Sequence, residues 1–188
     1  MSRIKRFIKK LIFRKSSAQS ELEQLKRRGL RIGENVDIFS ESPFDSLYPG
    51  LITVGDNVTI SSNVKILAHD ASMGYVTNGS CKIGIVEIGN NVFIRHGATI
   101  LCNTRIGDYA VIGAGSVVSG DVPEGCVYAG NPAKFIKKVE DFKEQHIKNY
   151  ETHPCFYNNW REFLKYESGD WDEIYEKLKE AHGYIVRK

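Results

Sequence analysis

IGNNVFIRHGATILCNTRIGDYAVIGAGSVVSGDVP, residues 88–123, decides the architecture of this chain because it counts in sixes. Ile88, Ile94, Ile100, Ile106, Ile112 and Val118 stand six residues apart without a slip. Four places after each comes a compact residue: Val92, Ala98, Thr104, Ala110, Ser116 and Val122. Glycine follows the aliphatic residue directly at Gly89, Gly107 and Gly113. A helix repeats every 3.6 residues or about that, and its interior does not tolerate this much glycine and β-branching. A period of six fits short strands joined by corners. One large side chain per side points inward, a compact one sits near the corner, and Gly or Asn takes the strained turn angles. Such a coil buries its apolar face only against further coils, so several must stack.

The count continues upstream in VGDNVT and ISSNVK, with Val54 and Ile60 as the large residues and Val58 and Val64 as the compact ones. An isolated IGENVD stands at Ile32 with Val36. From Ile66 to Ile88 the spacing is 22 residues, which is not a multiple of six. A solenoid accommodates such an excess as a loop projecting from a corner. ILAHDASMGY, residues 66–75, therefore opens an inserted loop over residues 67–85 that carries His69, Asp70, Ser72, Met73 and Tyr75.

The bulk composition narrows the class. With 188 residues, 41% apolar and 26% charged, the chain reads as a folded domain with appendages rather than a disordered segment. A formal charge of +3 gives no argument for nucleic acid. Cys81, Cys102, Cys126 and Cys155 form no C-x-x-C pair and show no zinc-ligand spacing. No secretory signal is expected from the interleaved charges of the first residues, and no apolar run approaches the roughly 18 residues of a spanning helix. The expected compartment is cytoplasmic, with reduced thiols.

Three parts follow. Residues 1–29 form an N-terminal helical segment. Its first fifteen residues, MSRIKRFIKKLIFRK, place Ile4, Phe7, Ile8, Leu11 and Ile12 on one face, and Ser17 to Arg28 reads as a polar helix ending near Gly29. The basic stretch has two readings: peripheral contact with an anionic membrane at its inner face, or a helix packed on the protein. Residues 30–137 are the repeat domain. Residues 138–188 form a C-terminal helical extension of two or three helices, with Phe142, Tyr150, Phe156, Trp160, Phe163, Leu164, Trp171 and Ile174 as apolar contacts.

The repeats, followed by IGAGSVVSGDVPEGCVYAGNPAKFIKKV, resemble the hexapeptide-repeat acyltransferases of the galactoside, maltose and xenobiotic O-acetyltransferase type. The motif-bearing match covers residues 54–138 and extends weakly to residue 30. The resemblance implies a mainly β fold, a left-handed parallel β-helix of triangular section with three hexads per coil. Strand-crossover reasoning alone favours the right hand. The resemblance further implies a homotrimer with acetyl-CoA as co-substrate in the groove between neighbouring prisms, and a sugar or glycan acceptor, as in surface-polysaccharide synthesis.

Related enzymes carry the catalytic histidine at the start of a loop that ends just before an I-G-N-N-V hexad, and His69 matches that position. Acyl transfer from a thioester to an alcohol needs a base for a hydroxyl that is barely ionised at neutral pH. An imidazole, with a pKa of about 6.5 in water, is available as free base and can return the proton. A backbone N–H aimed at the developing oxyanion completes the chemistry without a covalent intermediate. Asp70 has two readings, orienting the imidazole or forming a turn. Met73 and Tyr75 line the acceptor pocket or pack the loop. Asp45, in ESPFDSLYPG, binds acceptor hydroxyls by resemblance or caps the turn ending at Pro49 and Gly50.

By the same resemblance, Ala114 brings its backbone to the pantetheine arm, and Ser119 and Gly120 follow on the next hexad. Relatives often have Lys where Gly120 stands. Lys134 and Lys137 match cationic positions that neutralise the nucleotide phosphates, as point charges rather than the bidentate fork of Arg. His96 takes a position that often contacts the cofactor, and Arg95 beside it departs from the usual small residue. Two other reactions remain open. One is N-acetylation of an amino sugar. The other is a γ-carbonic-anhydrase-like metalloenzyme, which needs three converging histidines where the repeats offer only His69 and His96. The acyltransfer reading requires no metal.

Overall fold

The structure, a computed structural model, describes residues 20–157 and 167–186. The amphipathic face expected over residues 1–15 and the contacts expected of Trp160, Phe163 and Leu164 lie outside the described residues. The chain divides into two compact units, Met1–Val139 and Glu140–Lys188.

The first unit is a stack of three-sided coils. The first face pairs Arg31–Ile32, Ile52–Val54, Val86–Ile88 and Thr104–Ile106, all parallel. The second pairs Asp37–Ile38, Thr59–Ile60, Phe93–Ile94, Val111–Ile112 and Cys126–Gly130 in parallel, and Ala133–Lys138 closes its edge antiparallel. The third pairs Lys65–Ile66, Thr99–Ile100 and Val117–Val118. Every turn of the chain visits these faces in the same order, so residues at equal hexad positions stack in columns. Val54, Ile60, Ile66, Ile88, Ile94, Ile100, Ile106, Ile112 and Val118 all point inward and are buried. Burying each such side chain contributes roughly 1.5–3 kcal/mol.

The corners explain the remaining sequence preferences. The third residue after the large aliphatic one adopts a left-handed conformation at Asn35, Asn57, Asn63, Asn91, Gly97, Asn103, Tyr109 and Gly115. Asn and Gly suit those angles and tyrosine does not, so Tyr109 is the odd member of the column. Gly55 answers a different need: a Cβ there would lie 2.6 Å from Asn90 Oδ1 and 2.8 Å from the Gly89 carbonyl carbon. Side chains at the same corner tie successive coils together. Asp56 accepts from the Glu34 N–H at 2.7 Å, Asn90 from the Asp56 N–H at 2.9 Å, and Asp108 from the Asn90 N–H at 2.7 Å.

The hexad count also reaches further back than IGENVD. Phe44 bridges Ile66 and is 5% exposed, so Ile32, Ile38 and Phe44 make a first full coil. A helix over residues 20–27, α1, lies before it. Leu25 and Leu30 join the core and Leu22 packs against it, so the helix that reads as polar also sets two leucines against the repeats. Gly29 N–H to Lys26 O and Leu30 N–H to Leu25 O end the helix in a Schellman motif, with Gly29 at φ 102°.

The second unit holds α2 (Val139–Asn149, starting one residue inside the first unit), α3 (Ser168–Leu178) and a parallel pair of short strands, Cys155–Tyr157 and Tyr184–Val186. Among the described residues two helices stand in the tail where the sequence suggests two or three, and CFY and YIV, which are aromatic and β-branched runs, pair as strands in addition. The Tyr184 hydroxyl is the polar centre of the unit. It meets His146 Nδ1 at 2.8 Å and His182 Nε2 at 3.0 Å, and it accepts from Asn149 Nδ2 at 2.9 Å.

Candidate active site

Two breaks in the hexad count fall at the same corner of successive coils. Phe44 and Val54 are ten residues apart where six is the rule, and Ile66 and Ile88 are 22 apart. Both excursions leave the third face and return to the first. Stacking therefore places the start of one directly over the start of the other, and the Asp45 N–H donates to Ile66 O at 2.9 Å.

The later excursion stays on the coil through Ala68, which is fully buried, and departs at His69. His69–Asp70 pairs antiparallel with Lys82–Ile83, making a hairpin whose far part holds the 3-10 stretch Ala71–Tyr75. The Asp70 carboxylate accepts from the Ser72 N–H at 2.9 Å and turns the chain, and the Ser72 hydroxyl first and its N–H second hold the Asp70 pKa below the ordinary carboxylate value.

Asp45 reaches His69 instead. Its Oδ2 accepts from His69 Nδ1 and from the Ala68 N–H at 2.9 Å; its Oδ1 accepts from the Leu47 N–H at 2.8 Å and the Tyr48 N–H at 3.2 Å. Its side chain is 1% exposed, against 23% for His69. Burial pushes the Asp45 carboxyl up, but the His69 contact and the Leu47, Ala68 and Tyr48 N–H groups together outweigh it and hold the pKa below the ordinary value. An ionised carboxylate can only accept, so Nδ1 carries the proton and the Nε2 lone pair is left for chemistry. The turn at residues 45–51 thus does two things: Asp45 caps it, as the sequence allows, and fixes an imidazole on the next coil.

Sequence reasoning passed over Tyr48, whose ring centroid lies 5.4 Å from that of His69 at an interplanar angle of 53°. The signal was the ten-residue step from Phe44 to Val54, which marks a second insertion at the His69 corner. The structure does not gather the other loop candidates into the same place. Met73 is 39% exposed and Tyr75 is 99% exposed, out on the 3-10 stretch.

The remaining candidates form two groups. His96 Nδ1 and Ser62 Oγ are 2.9 Å apart at the corner between the second and third faces, and the Gly115 N–H beside Ala114 donates to His96 O at 2.9 Å. Ser119, Gly120 and Lys134 line a surface cleft of about 590 Å3 together with Tyr128 and Phe135. Lys137 lies on the edge strand opposite Val127. Among the described residues, no group of three His, Cys, Asp or Glu side chains is placed to hold a metal ion. No helix among them is long and apolar enough to cross a membrane.

Known proteins share this arrangement of repeats. Residues 85–120 match the family model described as bacterial transferase hexapeptide (six repeats). Protein CapG of Staphylococcus aureus is 34% identical over 163 residues, covering 84% of this chain and 94% of that protein. The chain belongs to the hexapeptide-repeat transferases. Galactoside O-acetyltransferase of Escherichia coli K12 is 38% identical over 104 residues, which cover 54% of this chain and 51% of that enzyme. The chain spans between 51% and 59% of the length of the first curated relatives it matches. A hexapeptide-repeat acetyltransferase of Vibrio cholerae, VCA0836, solved in complex with acetyl-CoA, superposes with a TM-score of 0.53 at 26% identity, over 59% of this chain and 61% of that one.

Proposed function

We propose that this chain is an acetyl-CoA-dependent O-acetyltransferase acting on a sugar hydroxyl, with His69 as general base and Asp45 as the residue that positions it. The carrying observation is the buried, fully hydrogen-bonded Asp45 carboxylate holding the Nδ1 edge of His69. A surface-loop histidine with no task has no need of an acid on another coil to fix its tautomer. His69 Nε2 takes the proton of the acceptor hydroxyl as the oxygen attacks the thioester carbonyl, and the imidazolium returns it to the departing thiolate. Asp45 keeps the ring oriented and stabilises the imidazolium while it exists.

The coil is left-handed and the molecule a homotrimer in this reading, with acetyl-CoA in the groove between prisms. The cleft at Ser119, Gly120 and Lys134 and the corner at His96 and Ala114 take the co-substrate. The acetyl-CoA complex of the Vibrio cholerae neighbour and the likeness to the galactoside O-acetyltransferase of Escherichia coli support this choice.

The test is thiol release from acetyl-CoA with a panel of methyl glycosides, nucleotide sugars and amino sugars, for the full chain and for His69→Ala. Transfer to a hydroxyl that disappears in His69→Ala, with the assembly intact, is the expected result. Undiminished activity in His69→Ala removes the base assignment; transfer confined to amines replaces O- by N-acetylation.

A further inference from the structure

We infer that Tyr48 binds the acceptor, its hydroxyl holding a hydroxyl group that neighbours the one His69 deprotonates. This rests on the acetyl-transfer reading above. Tyr48 is presented on a rigid turn. Its N–H donates to Asp45 Oδ1 at 3.2 Å, and the buried Pro49 that follows opens a 3-10 turn over Pro49–Leu51. From outside, the Arg28 guanidinium at the end of α1 donates to Ser46 O at 2.5 Å and to Leu47 O at 3.1 Å. One carboxylate therefore fixes both groups: Oδ2 sets the imidazole and Oδ1 sets the backbone of Tyr48.

The ring itself packs partly against the core and against His69, while its hydroxyl makes no hydrogen bond among the described residues and is not buried. A tyrosine with a dry body and a wet, unpaired tip at the side of a base is suited to a ligand that brings a polar group there. The acceptor oxygen itself belongs to His69 Nε2. What remains for the phenol is a second oxygen on the same acceptor, close to the first. A pyranose with adjacent hydroxyls supplies both, and its apolar C–H face can lie along the aromatic ring. A simple monohydric alcohol engages only His69. Tyr48 thus selects for a vicinal diol, because a site built to hydrogen-bond a substrate hydroxyl rejects the analogue that lacks it.

The experiment uses the full chain, acetyl-CoA, methyl β-galactopyranoside, methyl α-glucopyranoside and their monodeoxy analogues, with Tyr48→Phe as the variant. Phenylalanine keeps the ring, and an unchanged melting temperature confirms that the turn is intact. Tyr48→Phe is expected to raise the acceptor KM about 3- to 10-fold while kcat, the acetyl-CoA KM and the pH profile of kcat/KM stay in place. In the wild type one deoxy analogue should show the same rise, and in Tyr48→Phe that analogue should lose nothing more. An acceptor KM unchanged in Tyr48→Phe overturns the inference. So does a change confined to kcat and the pH profile, since the ring would then act only through His69. A wild type that acetylates none of these pyranosides overturns the sugar reading itself, and the inference with it.

Discussion

Asp45 and His69 stand 24 residues apart in sequence and share a hydrogen bond, because each begins an excursion from the same corner of consecutive coils. The two would not meet if the insertions had fallen at different corners, and Asp45 would keep only the N–H groups of its own turn. The stack converts two unrelated-looking irregularities into one site.

Replacing Asp45 by Asn tests that relationship directly. The amide keeps the shape but can no longer accept on both oxygens, so the Ala68, Leu47 or Tyr48 N–H loses a charged partner and His69 loses its fixed tautomer. We expect kcat to fall by roughly 10²- to 10⁴-fold with the acetyl-CoA KM little changed. Steady-state kinetics against acetyl-CoA and acceptor separate the two; a kcat within about threefold of wild type would refute the positioning role.

The same carboxylate makes stability depend on acid. Folding lowers the pKa of Asp45 from its ordinary 3.8, so the unfolded chain binds this proton more readily than the folded one. Its contribution is fully present above about pH 4 and is lost as the pH falls through the lowered folded value. Urea unfolding of wild type and Asp45→Asn across acidic pH measures this. The gap between the two should narrow as the pH drops below about 4 and stay constant above about pH 5; a gap that widens on acidification has the wrong sign.

Thr104 occupies an inward compact position, is fully buried, and its Oγ1 has no hydrogen-bond partner among the described residues. Valine has nearly the same shape and brings no polar atom into the core. Thr104→Val should raise the unfolding free energy by about 0–2 kcal/mol. A loss of more than about 1 kcal/mol in denaturant unfolding would mean that the hydroxyl does have a partner.

Tyr109 sits at φ 58° in the corner column where asparagine and glycine stand elsewhere, and it is 54% exposed. Its ring gains little packing to offset the left-handed backbone. Tyr109→Asn should stabilise the protein by roughly 1 kcal/mol, and Tyr109→Val, which is β-branched, should destabilise it by a similar amount. Melting temperatures of the two variants would move in opposite directions; the same direction for both contradicts the strain argument.

The coil was legible because its period is a property of consecutive residues. Ile88 through Val118 repeat without interruption, and Asn or Gly marks nearly every corner. The first coil was harder to see, since Phe44 fills a place held elsewhere by an aliphatic residue. In the tail, CFY and YIV are three residues each, too short for periodicity to separate strand from helix, and only their pairing reveals them.

For the site, His69 could be singled out from the position of its loop, but its partner could not. Asp70 is adjacent in sequence and turns toward Ser72; Asp45 is distant in sequence and adjacent in space. The sequence by itself determined that the chain must wind in hexads and that a histidine leaves the winding, because apolar periodicity dictates which side chains can be buried together. Only the tertiary structure decided that Asp45 fixes the imidazole and Tyr48 stands beside it. Hydrogen bonds and ring contacts depend on distance through space, and that distance was set by coils stacking in register, with both insertions at one corner.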